Sequence, residues 1–265
     1  MILSRSAVAR TVITFLFFLL FGIGAFVFAY FVSRGGQSIK PPVTIGVIFV
    51  VLAALSVPLG IYAEGKAKLF SEGTRLVRRQ LQPDSFIASY NEKTEAKNAV
   101  CRPGYDLLEL LLVSYRLKGD VKNAKKTVEA MKALPGRSAR AKALIAEAEL
   151  CYENGDVEEG DALISGAKDL KPGSSLIYAM ADICERTAKA LATGDTQTAE
   201  TYYNGVLSAP GIMKAEEDAA LFAHWQLFRI CDGDGRVGDA LTHLKACATS
   251  PGKTAIKAKA LSLLR

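Results

Sequence analysis

The chain has 265 residues, half of them hydrophobic, with 33 basic and 27 acidic side chains and a formal net charge of +6. The excess charge is local: Gln80 to Arg265 contains 24 Lys/Arg and 25 Asp/Glu, so the surplus lies in residues 1–79. Nucleic-acid-binding domains present a basic face, and a near-neutral C-terminal part argues against that class, so no nucleic-acid partner is expected.

Two uncharged runs of 23 residues come first, Thr11–Ser33 and Pro41–Ala63. About 20 apolar residues cross a bilayer as a helix, which predicts a transmembrane hairpin over 1–63 with spans at 11–33 and 43–63. The first run exceeds a signal-peptide core of about 7–15 residues, and Val32-Ser33-Arg34 makes a poor cleavage site. Arg5 and Arg10 precede the first span, Arg34 and Lys40 lie between the spans, and Lys66, Lys68, Arg75, Arg78 and Arg79 follow the second. The positive-inside rule then predicts both termini, and everything after the second span, in the cytoplasm, with a bacterial inner membrane favoured. The five basic residues after the second span are also candidates for contact with anionic lipid headgroups. Within the spans only Tyr30 and Tyr62 are ionisable. A transport path normally carries buried charges, so the spans read as an anchor. Ala25/Ala29 and Ser56/Gly60 offer close helix approach, for the hairpin itself or for a homo-oligomer.

Residues 64–102 read as juxtamembrane and linker helices. Lys66–Leu81 continues the second span, Gln82-Pro83-Asp84 breaks it, and Asp84 is placed to cap a helix over Phe86–Ala99. Five cysteines (Cys101, Cys151, Cys184, Cys231, Cys247) stand singly, which suits small buried side chains in a reducing compartment better than a disulfide framework.

From residue 103 onward, helical apolar spacing is interrupted at Lys118-Gly119-Asp120, Asn154-Gly155-Asp156, Thr193-Gly194-Asp195 and Asp232-Gly-Asp-Gly-Arg236. The intervals between Gly119, Gly155, Gly194 and Gly235 are 36, 39 and 41 residues, a period typical of helical repeats. Each following helix ends at a Pro-Gly pair, Pro135-Gly136, Pro172-Gly173, Pro210-Gly211 and Pro251-Gly252. Glycine supplies a helix C-cap, Asp caps the next helix, and proline prevents continuation. Four residues after each turn position come Ala124, Gly160, Ala199 and Ala240, and seven further on Met131, Ala167, Val206 and Cys247.

On these residues the chain resembles a divergent tetratricopeptide-repeat protein. The resemblance covers about 103–252, with Thr254–Leu264 as a capping helix. It implies an all-α fold over 103–265: an α-solenoid of about four helical hairpins with a concave, partner-binding surface. The first helices lack the family's aromatic/Leu-Gly pattern, and the repeats are longer than its usual length.

No motif for phosphate binding or catalysis appears, so no catalytic or cofactor-binding residue is expected. His224, Cys231, His243 and Cys247 share the last unit, but His224 and Cys231 lie about 10 Å apart along a helix, so no metal site is expected. Asp232-Gly-Asp234-Gly lacks the remaining ligands of a calcium loop. Trp225 and Tyr202 are the candidate partner-binding residues, each weighed against a core role. Together these readings predict a membrane-anchored scaffold that recruits a protein or peptide partner. The alternative is a structural or homo-oligomeric subunit of a transport or envelope-assembly complex.

Overall fold

A computed structural model describes residues 5–34, 40–94, 103–209 and 216–265. The chain is all-helical, 86% in helix, with no strand among the described residues. It falls into two compact units, divided between Leu69 and Phe70.

The first unit contains α1 (Arg5–Arg34) and most of α2 (Lys40–Gly73). By length and composition, Val12–Val32 and the stretch beginning at Val43 are each apolar enough to cross a membrane. Their large side chains, such as Leu20, Phe28 and Leu59, are exposed. The helices meet through small residues. Gly22, Ala29, Gly46 and Ala53 are buried; a Cβ on Gly22 would meet the Val50 side chain at 3.0 Å, and one on Gly46 the Phe26 ring at 3.1 Å. Phe49 completes the contact with Phe21, ring centroids 5.5 Å apart. Of the four residues expected to mediate this approach, Ala29 is buried while Ala25, Ser56 and Gly60 are only half-buried. Glycine at 22 and 46 sets the closest point, because it alone brings no side chain into the seam.

The second unit begins at Phe70, in the last turn of α2, which passes into a π-helical turn, Thr74–Arg79. The chain then reverses at Leu81, a buried residue with φ of 51°, into α3 (Pro83–Thr94). The break expected at 82–84 occurs, but Pro83 is itself the first helical residue. Proline fits there because its missing N–H has no intrahelical acceptor, so Asp84 lies inside the helix instead of capping it. The expected continuation to Ala99, with Cys101, lies outside the described residues.

Four helix pairs follow. They are α4 (Tyr105–Lys118) with α5 (Val121–Lys132), and α6 (Arg137–Asn154) with α7 (Val157–Asp169). In the third pair, α8 (Ser175–Cys184) runs through a π turn, Glu185–Lys189, into α9 (Ala190–Thr193), and pairs with α10 (Thr196–Ser208). The fourth joins α11 (Glu217–Gly233) to α12 (Val237–Thr249), and α13 (Ala255–Leu263) closes the chain. Gly119, Gly155, Gly194 and Gly235 adopt φ of 69°, 87°, 81° and 72°, left-handed values at which a side chain is strained. Asp120 and Asp195 then accept hydrogen bonds from the backbone N–H of Asn123 and Thr198, both at 3.1 Å. With such short connections, helices that pack on each other run antiparallel.

The register marked in the sequence is the buried register. Ala124, Gly160, Ala199 and Ala240 are buried, as are Met131, Ala167 and Cys247, while Val206 is half-buried. Of the Pro-Gly stops, Gly136 and Gly252 take positive φ. At Pro172-Gly173 the reversal falls instead on Lys171, with φ of 45°, and Pro210-Gly211 lies outside the described residues.

The stack also returns on itself. α11 packs against the π turn Thr74–Arg79, and α13 packs against both α12 and α4. The backbone N–H of Lys253 donates to the Leu81 carbonyl at 3.2 Å.

Candidate functional site

Residues of α4, α6, α8 and α11 line a cleft of about 500 Å³, with α10 forming one wall. Arg116 of α4 organises it. Its guanidinium donates to Glu149 at 2.7 Å and to Glu153, both on α6, and lies over the Phe222 ring of α11, 5.4 Å from its centroid. The Arg116 side chain is 24% exposed. Burial by itself disfavours the charge, but the two glutamates outweigh it and push the pKa up. Planar arginine suits this double role of carboxylate pairing and ring stacking.

Arg229, which also lines the cleft, is exposed and bonds Gln226 one turn earlier at 3.2 Å. Among the described residues it forms no ion pair. Tyr202 and Tyr203 contribute an edge-on aromatic pair, centroids 5.7 Å apart. Burial raises the pKa of both hydroxyls, with the Glu149 charge adding to the effect, so both stay protonated. The cleft therefore offers aromatic surface, hydroxyl donors and one uncommitted cation. The Arg116–Glu149–Glu153 ion network inside it is already satisfied.

Tyr202 is half-buried and lines this cleft. Trp225 is half-buried too, beside Phe228 with centroids 5.3 Å apart and beneath the Lys259 ammonium at 5.3 Å. It lines a neighbouring depression that shares Arg116, Glu153, Phe222 and Arg229 with the main cleft. Thus the two candidates sit on adjoining surfaces. Arg116, Phe222 and Arg229 escaped sequence reasoning. Arg116 and Glu149 lie on different helices, and no spacing rule links them.

The basic candidates separate. Arg78 is held within the helical unit by Glu109 at 3.2 Å and Glu216 at 3.6 Å, so its charge is already matched. Arg75 and Arg79 are exposed, Arg75 donating to Gln80 at 2.9 Å. Lys66 and Lys68 are half-buried, and Lys68 pairs with Glu64 at 3.0 Å. The Asp232–Arg236 stretch is a turn in which Arg236 binds Asp234 and, through both terminal nitrogens, Glu200 at 2.7 and 2.8 Å. No cluster of three or more metal-ligating side chains occurs among the described residues. Compared with known proteins, the chain matches no family model, no curated protein and no solved structure.

Proposed function

We propose that the protein is a membrane-anchored adaptor. In this reading the two apolar helices hold it in a bilayer, and a tetratricopeptide-like array of helical hairpins binds a segment of a partner protein. The observation that carries it is the cleft, to which all four hairpins contribute and whose lining suits recognition. Aromatic rings, satisfied ion pairs and an unpaired arginine at the rim are features of protein-binding surfaces. The basic residues flanking the spans support a cytoplasmic helical unit in a bacterial inner membrane, with Arg75 and Arg79 free to meet anionic headgroups.

Site-specific photocrosslinking in cells tests this. A crosslinker at Tyr202 should yield a discrete protein adduct that Arg229→Glu suppresses at least severalfold, while one at exposed Lys126, on the outer helix α5, should not. Adducts to lipid alone, or equal labelling from both positions, would overturn the proposal. Replacing 1–63 with an unrelated two-span hairpin separates the alternative. An adaptor keeps its adduct, whereas a subunit of a transport or envelope-assembly complex loses its function with its own spans.

A further inference from the structure

The only two histidines of the chain face each other in the last hairpin. His224 lies in α11 and His243 in α12, both half-buried, their Nδ1 atoms 3.0 Å apart, ring centroids at 5.3 Å and planes inclined at 41°. Along α11, His224 and Cys231 lie about 10 Å apart. The fold pairs His224 with His243 across two helices. The cleft function uses neither ring.

We propose that His224 and His243 form a two-imidazole chelate for a first-row divalent transition-metal ion, with water completing the coordination shell. Metal–nitrogen bonds of about 2.0–2.1 Å place two cis imidazole nitrogens about 3–3.4 Å apart, and the Nδ1 atoms, 3.0 Å apart, reach that range with the ring rotations that turn both lone pairs from each other onto a common centre.

The charged groups that act on His243 are Asp239, one turn before it, Glu200 on α10, and Arg236. Glu200 is held by Arg236; Asp239 is mostly exposed and only 3.9 Å from the same arginine. In the metal-free pair one Nδ1 carries the proton that the other accepts. Binding moves that proton to Nε2 of its own ring, with no net proton release and no redox change. The thiols stay outside the site. Cys247 is directed at the Leu221 carbonyl at 3.9 Å, and burial holds its pKa up at about 12.

The test uses the full chain in detergent micelles, free of any affinity tag, titrated with NiCl2. Calorimetry should show one saturable equivalent, weakened at least tenfold by His224→Asn and equally by His243→Asn. Because the chain has two histidines, proton–nitrogen spectra of the unaltered protein give a readout that needs no variant. Paramagnetic Ni(II) should broaden both imidazoles together by one equivalent. Absence of saturable binding, broadening of one ring only, or undiminished binding by either variant overturns the proposal.

Discussion

Two buried side chains show how single residues are fixed by their neighbours. Tyr152 is 2% exposed, and its hydroxyl donates to Asp161 at 2.6 Å, which also binds the Lys189 ammonium at 2.8 Å. Its ring lies where a Cβ on Gly160 would be, 2.5 Å away. Gly160→Ala should therefore destabilise the helical unit by about 1–3 kcal/mol, the range for overpacking a filled core, measured by chemical denaturation. Tyr152→Phe, which keeps the ring and removes the hydrogen bond, should cost only about 1 kcal/mol. Asp218 works through pH. It is 6% exposed, and its Oδ1 has no hydrogen-bond partner. Burial raises its pKa from 3.8 to about 6, against the opposing pull of Arg78. The folded state then holds a proton that the unfolded state releases, so this group's stabilisation is present below about pH 4 and lost as pH rises through 6. Asp218→Asn should gain on the unaltered protein across that window, by an amount on the order of 3 kcal/mol. Denaturation midpoints at pH 4, 5, 6 and 7 check it; a difference that does not vary with pH removes Asp218 as the cause.

At the scale of elements, the helix ends were the most legible part of the sequence. Gly119, Gly155, Gly194 and Gly235 declared the turns because a positive φ is a local demand that few residues meet. The small residues four positions later declared the packed face for a similar reason. The π turns at Thr74–Arg79 and Glu185–Lys189 gave no such signal, since each is an adjustment within an ordinary helical sequence to what packs against it. The glycines themselves separate local from tertiary constraint. A Cβ on Gly155 meets nothing within 4 Å, so Gly155→Ala should cost only the left-handed strain, about 1–2 kcal/mol. A Cβ on Gly252 would collide with the Leu81 carbonyl oxygen. Because backbone cannot yield as a side-chain tip does, Gly252→Ala should cost more than about 3 kcal/mol. Equal losses in the two variants would mean that the contact with Leu81 is not maintained in solution.

That contact decides how the whole helical unit behaves. In an open stack of hairpins each repeat touches only its neighbours, and stability is close to a sum of local terms. Removing the last helix should then loosen α12 and little else. Here α13 buries Ile256 and Ala260, Thr254 caps it by accepting from the Lys257 N–H at 3.1 Å, and it packs on α4 as well as α12. Lys253, just before it, ties the chain to Leu81. The closing helix was legible in the sequence, but its contacts with α4 and Leu81 were not, because Lys253 and Leu81 lie 172 positions apart and each segment reads locally as an ordinary helix or turn. The cleft depends on the same closure, since Phe222 of α11 reaches Arg116 of α4 only when the last hairpin returns to the first. Deleting residues 253–265 from the full chain should therefore speed amide hydrogen exchange at least tenfold in α4 and around Leu81, as well as in α12. Exchange in α7, away from the junction, should hardly change. Acceleration confined to α12 would describe an open array whose ends do not meet, and Arg116 of α4 and Arg229 of α11 would then no longer line a single cleft.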